Sequence, residues 1–299
     1  MSKRAGGGHA GEIAAGNRFA FGKNWLRFLD VLDETRIDAA VASVRKLTGL
    51  DTLAGKRLLD IGSGSGLFSL AAMRLGADAV LSFDYDPESV RCGLELKARF
   101  FPGNDRWRIV EGSVLDEPFL GTLGTFDIVY SWGVLHHTGD MYRAFANTAA
   151  LVAPSGLLAI AIYNDQGWKS RAWRAVKAAY CRTPEVLRPL LFSPIAILFE
   201  LKWMAGDLVR GRTPFSHWRS AARGMNPWID WIDWLGGYPF EVATPEAVFD
   251  FFHTNGFRLE RLTTCMGGYG NNEFTFFQEN RSERRNDGMA SACARQRVS

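Results

Sequence analysis

Residues 59–68 read "LDIGSGSGLF" and close a short apolar run, "KRLLDIG". Three glycines at alternate positions, Gly62, Gly64 and Gly66, stand between strand-like residues and the helix-like "GLFSLAAMRLG". No other feature restricts the fold as much. Glycines let the backbone approach a ligand closely, and the amides at a helix N-terminus face whatever is bound there. A site of this kind also needs an acidic residue about 20 positions on, at the end of a second strand, to hold ribose hydroxyls. Asp84 in "SFDYD" stands there, with Asp86 beside it.

The surrounding pattern is regular. "DAVLSFDYD", "WRIVEGSVLD", "FDIVYSWG" and "GLLAIAIYN" predict four more strands. Helices are predicted between them, "PESVRCGLELKARF" opening on Pro87 and "GDMYRAFANTAALV" with Asp140 placed as its cap. Apolar positions from Trp25 to Leu47 have mainly helical spacing. Strands alternating with helices in this way indicate βαβ units and a parallel sheet covered on both faces. The pattern lapses near residue 164 and resumes near 244 with a helix, "TPEAVFDFFHTNGF", and two strands, "RLERLTT" and "NEFTFFQE". Residues 164–241 therefore form an insertion, predicted largely helical.

A dinucleotide-binding turn would read G-x-G-x-x-G. Leu67 occupies the place of its last glycine, which disfavours an NAD oxidoreductase. Taken in order, "LLDIGSGSGLFSLAA", "FDYDPESV", "VEGSVLD" and "FDIVYSWGVLHHTGD" instead resemble the motifs of class I S-adenosyl-L-methionine (SAM)-dependent methyltransferases. The resemblance is nearest to the group that includes the quinone-biosynthesis C- and O-methylases, and it spans about residues 55–163 and 244–279. It implies an α/β fold: a doubly wound, Rossmann-like, seven-stranded sheet whose last strand is antiparallel, with the two C-terminal strands as strands six and seven. It implies SAM as cofactor. Asp60, Gly62, Gly64 and Gly66 would lie against its methionine part, Asp84 would bind its ribose hydroxyls, and Ser113 and Val114 would flank its adenine. Relatives often carry an Asp at the position of Ser113. The segment from Ser131 to His137 would line the methyl-transfer pocket. "RFAFGKNW" (18–25) is placed either to close over the cofactor or to pack on the sheet as a helix lead-in. The Pro-Pro motif of amino-nitrogen methylases is replaced by "SWGV", and no Pro-Cys nucleophile for cytosine occurs.

Methyl transfer from SAM is an in-line displacement, so most of the protein's work is alignment. An oxygen nucleophile also needs a base, most often His. His136 and His137 are the candidates, with Tyr163, Asp165 and His217 in reserve. The competing expectation is that one or both histidines are hydrogen-bonded structural residues.

The insertion holds seven of the chain's ten tryptophans and a net charge of +4, whereas the remaining folded part is about −6. Aromatic faces and cations suit a small or carrier-linked acceptor that is glycan-, quinone- or lipid-like. Because the insertion follows strand five, it leaves the sheet at the carboxyl edge, where α/β ligands bind, and is placed as a substrate lid. Trp231, Trp234 and Asp165 are the substrate candidates, against the alternative that the tryptophans form the insertion's own core. "AIYNDQG", "DWLGGYPFE" and "GGYGNNEF" together resemble segments of other bacterial methyltransferases. The apolar "LLFSPIAILF" (190–199) is half a membrane span, broken by Pro194; it suits a buried helix or contact with a membrane surface.

The overall charge of +3 comes from the termini: residues 1–18 contribute +2 and 281–299 contribute +3. Such an origin argues against nucleic acid as a partner. Both tails are expected to be disordered, leaving 19–163 and 242–280 as the SAM-binding domain and 164–241 as the Trp-rich insertion. Four scattered cysteines without C-x-x-C suggest neither a metal site nor a disulfide framework, and the Gly/Ala-rich N-terminus is not a signal peptide; a cytoplasmic enzyme is expected. Two rivals stand beside the small-molecule reading: the same chemistry on RNA or protein, and a non-catalytic SAM-binding partner protein.

Overall fold

The computed structural model describes residues 8–213, 232 and 234–279, the side chains of Lys23 and Arg27 aside. At its centre is a seven-stranded sheet of order β3-β2-β1-β4-β5-β7-β6. The strands are β1 (Arg57–Ile61), β2 (Ala79–Asp84), β3 (Trp107–Glu111), β4 (Phe126–Trp132), β5 (Val152–Tyr163), β6 (Phe257–Thr263) and β7 (Asn271–Gln278). Neighbours among the first five pair in parallel, and β7 runs antiparallel to both β5 and β6. The fold expected from the alternating pattern is the one observed.

The helices are α1 (His9–Ala14), α2 (Gly22–Leu29), α3 (Glu34–Thr48), α4 (Leu67–Arg74), α5 (Pro87–Phe100), α6 (Glu117–Leu120), α7 (Met141–Ala150), α8 (Trp168–Arg182), α9 (Arg188–Val209) and α10 (Pro245–Thr254). Side-chain alternation along each strand divides the core into two layers. Leu58, Val80, Ile128 and Ala159 face α3 and α4, burying Val44 and Leu70. Leu59, Phe83, Val129 and Ile160 face α7 and α10, burying Phe145 and Phe252.

Where an Asp or Thr precedes a helix, it caps that helix with one exception. Asp86 caps α5 by accepting from the Glu88 amide at 3.0 Å, with Pro87 in the first turn. The helical stretch from Trp25 to Leu47 is two helices, because the Asp33 side chain accepts from the Arg36 amide at 2.9 Å and starts α3 anew. The exception is α7. Asp140 makes no capping hydrogen bond. The carboxylate of Glu241, from the far end of the insertion, accepts from the Gly139 amide at 3.0 Å and the Met141 amide at 3.3 Å instead.

The N-terminal tail also departs from expectation over residues 8–18. It forms α1 and docks: Arg18 pairs with Glu12 at 2.5 Å, donates to the His137 carbonyl at 3.0 Å and lies 5.0 Å over the Tyr85 ring. Two opposite charges that satisfy each other and a buried carbonyl make an otherwise polar segment stick. Phe19 continues the tie by entering the insertion's core with Tyr180, Phe192 and Leu235. Residues 281–299, His217 and Trp231 lie outside the described residues. No described helix is long and apolar enough to cross a membrane.

Candidate functional site

A cavity of about 1020 Å³ opens beyond the carboxyl ends of the parallel strands. Its first wall is the turn after β1. Gly62, Gly64 and Gly66 all have left-handed backbone, φ +69°, +54° and +79°, which a side chain would strain. Two of them are also steric necessities. A Cβ at Gly62 would lie 2.3 Å from Val134, and one at Gly66 would lie 3.0 Å from the Gly93 backbone of α5. Asp84 closes the turn by accepting from the Gly64 amide at 2.8 Å and the Asp86 amide at 2.9 Å. Burial pushes the Asp84 carboxyl up to about 6, against the pull of those two amides. Val114 and Ser113 reach the same space, the Ser113 hydroxyl accepting from the Leu115 amide at 3.1 Å.

Two polar atoms on this wall are conspicuous. Ser63 and Ser89 are lining residues whose hydroxyls are buried and have no hydrogen-bond partner. Buried hydroxyls are normally satisfied. Ser63 lies within the glycine turn itself.

Asp60 does not reach the cavity lining. It is buried behind the turn, where it accepts from the Ser69 hydroxyl at 2.5 Å; Ser69 in turn meets Ser82 at 2.6 Å. Burial pushes its carboxyl up to about 7. Its place is therefore under the turn, holding α4 to β1 and β2. Ser131 is likewise buried, donating to the Ile61 carbonyl at 3.2 Å, and is absent from the lining.

The histidine pair separates into two roles. His136 is fully buried and lies outside the cavity lining; its Nδ1 accepts from the Tyr163 amide at 3.3 Å, and burial holds its ring well below the usual imidazole range. It is the structural member. His137 lines the cavity. Its Nδ1 lies 2.7 Å from the Pro239 carbonyl, which can only accept, so the proton sits on Nδ1 and the lone pair on Nε2. Burial lowers this ring to about 3, the Pro239 carbonyl opposing and the cations of Lys177 and Arg18 adding to the shift. Tyr163 lines the cavity next to both rings, with centroids 4.0 Å from His136 and 5.4 Å from His137.

The remaining wall is aromatic. Trp234 packs against Trp173 at 4.2 Å and Phe199 at 5.7 Å, and Trp203 and Tyr269 join the lining. Lys177, almost fully buried, donates to the Trp234 carbonyl and lies 5.3 Å over its ring. Asp165 is not part of this wall. It accepts from the Gly167 amide at 2.8 Å and so shapes the turn into α8.

Several lining residues escaped sequence reasoning. Phe21 and Trp25 belong to the 18–25 segment, which does border the cavity, the Trp25 ring standing 3.1 Å from where a Gly64 Cβ would be. Asn271 and Glu273 had only "GGYGNNEF" as a signal, whereas Trp132 lies in the Ser131–His137 segment expected to line the pocket. The Asn271 Oδ1 is a further buried atom without a partner, and Asn271 pairs with Tyr163 in the β5–β7 ladder. The three recurring segments prove to be clasps. Asn272 of "GGYGNNEF" donates to Asn164 of "AIYNDQG" at 3.0 Å, and Gln166 donates to the Gly267 carbonyl at 2.8 Å. "DWLGGYPFE" supplies the Pro239 carbonyl and Glu241 already described.

Comparison with known proteins agrees with this geometry. The family model described as "Methyltransferase domain" matches residues 32–196. Methyltransferase str2 of Strobilurus tenacellus is 31% identical over 190 residues, covering 62% of this chain and 61% of that protein. The ubiquinone biosynthesis O-methyltransferase of Rhodopseudomonas palustris strain TIE-1 is 32% identical over 136 residues, 46% of this chain and 51% of that one. The chain thus spans about half to three-fifths of the length of these curated relatives. Among solved structures, PKMT2 from Rickettsia typhi in complex with AdoHcy aligns with a TM-score of 0.52 at 15% identity, covering 81% of this chain and 53% of that one; at this identity the likeness shows the fold alone. The chain belongs to the methyltransferase-domain family, in its class I group, with ubiquinone-biosynthesis O-methyltransferases among its relatives.

Proposed function

We propose that the protein binds SAM and transfers its methyl group to an oxygen of a small or carrier-linked acceptor. What carries this reading is one co-location: the glycine turn, closed by the Asp84 carboxyl, and the His137 imidazole line one cavity. The turn backbone and Asp84 hold the cofactor, with Val114 beside its base. When bound, SAM supplies an electrophilic methyl on a cationic sulfonium.

The chain's own residues do the rest. His137 Nε2 accepts the proton of the acceptor hydroxyl and turns its oxygen lone pair toward the methyl. The Pro239 carbonyl keeps the ring in the tautomer this needs. With its basicity suppressed to about 3, His137 stays neutral across the physiological range and acts chiefly by orientation, taking the proton only as the methyl–oxygen bond forms and the hydroxyl becomes strongly acidic. Trp234, Phe199 and Tyr269 exclude water and stack on the acceptor body. The oxygen preference also draws support from the names of the curated relatives that act in ubiquinone biosynthesis as O-methyltransferases.

The test is to incubate the full chain with methyl-¹³C SAM and a mixed metabolite and lipid extract, then record mass and carbon NMR of the labelled product. A methoxy signal is expected. A methyl on nitrogen or carbon overturns the oxygen assignment, and absence of SAM binding by calorimetry overturns the whole reading.

A further inference from the structure

Helix α9 has two apolar faces, and among the described residues only one of them is packed. Phe192, Ala196 and Phe199 point inward, into the small core they form with Tyr180 and Trp173. The opposite face carries Leu190, Ile197, Leu198, Leu201 and Leu208, which are 73, 53, 71, 57 and 59% exposed. The steps between Leu190, Pro194, Ile197, Leu201, Ala205 and Leu208 are three or four residues, so these positions form one continuous stripe. A helix of 22 residues is about 33 Å long at 1.5 Å per residue. Val186 and Leu187, 85 and 45% exposed, extend the apolar strip beyond its start. Isolated exposed leucines need no account, but a strip of this extent marks an interaction surface.

Charge decides what covers it. On α9 and the turn after it, residues 188–213, the exposed charged side chains are three bases, Lys202, Arg210 and Arg212, and no acid. A second copy of this chain would set one such field against another. Residues 214–231, which follow directly, carry Arg219 and Arg223 against Asp230, and would add positive charge to positive. An anionic lipid surface fits both properties at once, taking up the leucines and neutralising the bases. The helix is not a span: Pro194 lies within it, and no described helix is long and apolar enough to cross.

We propose that α9 is an interfacial helix that docks the protein on an anionic membrane surface, outward stripe down. The same helix lines the cavity with Phe199, Glu200 and Trp203. Docking therefore brings the aromatic wall to the bilayer, where a lipid-soluble acceptor resides. This last step, and only this, rests on the methyltransferase reading; the docking itself does not.

The experiment is vesicle flotation of the full chain, without SAM, using phosphatidylcholine vesicles with and without 40% phosphatidylglycerol. The wild type is expected to float with the anionic vesicles and to stay behind with the neutral ones. Leu198→Asp with Leu201→Asp, both at exposed positions, should cut partitioning by about tenfold or more, with circular dichroism and melting unchanged. Lys202→Glu with Arg212→Glu should weaken it by about fivefold for each charge removed, and more for reversal, and high salt should do the same. A wild type that remains in the aqueous fraction, or leucine variants that float as well as it does, overturns the proposal. So does a dimer in sedimentation velocity that the leucine variants split while no vesicle binding is seen. Flotation without methyl transfer would sink the proposed activity and leave the docking helix; methyl transfer without flotation would do the reverse.

Discussion

The glycine wall and the aromatic wall face the same cavity but are built on different principles. From Gly62 to Val114 the first wall is largely backbone: turn amides, left-handed glycines and one carboxylate that closes them. The second is side chain throughout, gathered from α8, α9, the segment around Trp234 and the β6–β7 connection. Backbone geometry serves a ligand of constant shape. Aromatic packing can be exchanged residue by residue, and the proposed function assigns acceptor choice to it. His137 stands between the two, its backbone carbonyl tied to Arg18 of the N-terminal segment and its ring to Pro239.

That comparison is broken most severely at the junction. His137→Asn keeps a donor near the Pro239 carbonyl but removes the Nε2 lone pair. It should lower kcat by about 10²- to 10⁴-fold while leaving SAM affinity and melting temperature near wild type. Because the free ring titrates at about 3, the wild-type kcat should be flat from pH 5 to 8; an inflection near 6.5 would mean the ring is solvated and the assignment wrong.

On the glycine wall, Gly64→Val forces a branched side chain into φ +54° against Trp25, and calorimetry should show SAM affinity reduced by about 100-fold or more. Asp84→Ala should cost about 10- to 150-fold by removing charge-assisted bonds worth roughly 1.5–3 kcal/mol. The pH dependence has a definite sign. Burial raises Asp84 to about 6, so below that pH the unliganded carboxyl holds a proton that ribose hydroxyls must displace. SAM affinity should therefore fall by up to tenfold per unit as pH drops below about 6, and stay level above it. A level curve down to pH 4.5 would count against Asp84 as the ribose partner.

Deleting residues 1–18 removes Arg18 and His9, both in the cavity lining, and should weaken SAM by about tenfold, the bonds being partly solvent-exposed. Unchanged affinity would return this segment to the dispensable tail its composition suggests. The smallest effect belongs to the aromatic wall. Trp234→Ala should raise the acceptor KM by about 2- to 12-fold, with SAM affinity unchanged, as one stacking contact is worth about 0.5–1.5 kcal/mol. If SAM affinity falls in step, the two walls are one unit and the comparison fails.

Much of the first wall was legible because its determinants are local. Gly62, Gly64, Gly66 and Asp84 lie within one βαβ unit, and the only conformation that joins such a strand to such a helix exposes them. Asp60 and Ser131 were placed at the right strand ends but on the wrong side of the turn, since the direction of a side chain depends on what packs beneath it. His136 and His137 are indistinguishable as a dipeptide; a single step along a one-turn helix buries one and presents the other. Asp140 is a good cap by composition, yet Glu241 arrives from a hundred residues away and its carboxylate takes the amides on either side of Asp140, those of Gly139 and Met141.

The sequence by itself determined the sheet, its order of strands and helices, and the glycine turn with its acidic partner, because hydrophobic period and left-handed backbone are properties of a few consecutive residues. Only the tertiary structure decided that residues 8–18 dock, that Phe19 joins the insertion's core, and that His137 lines the cavity with its Nδ1 held by the Pro239 carbonyl. These depend on atoms brought together across a hundred residues or more, and a hydrogen bond or a buried ring is worth something only to the partner that the whole fold delivers to it.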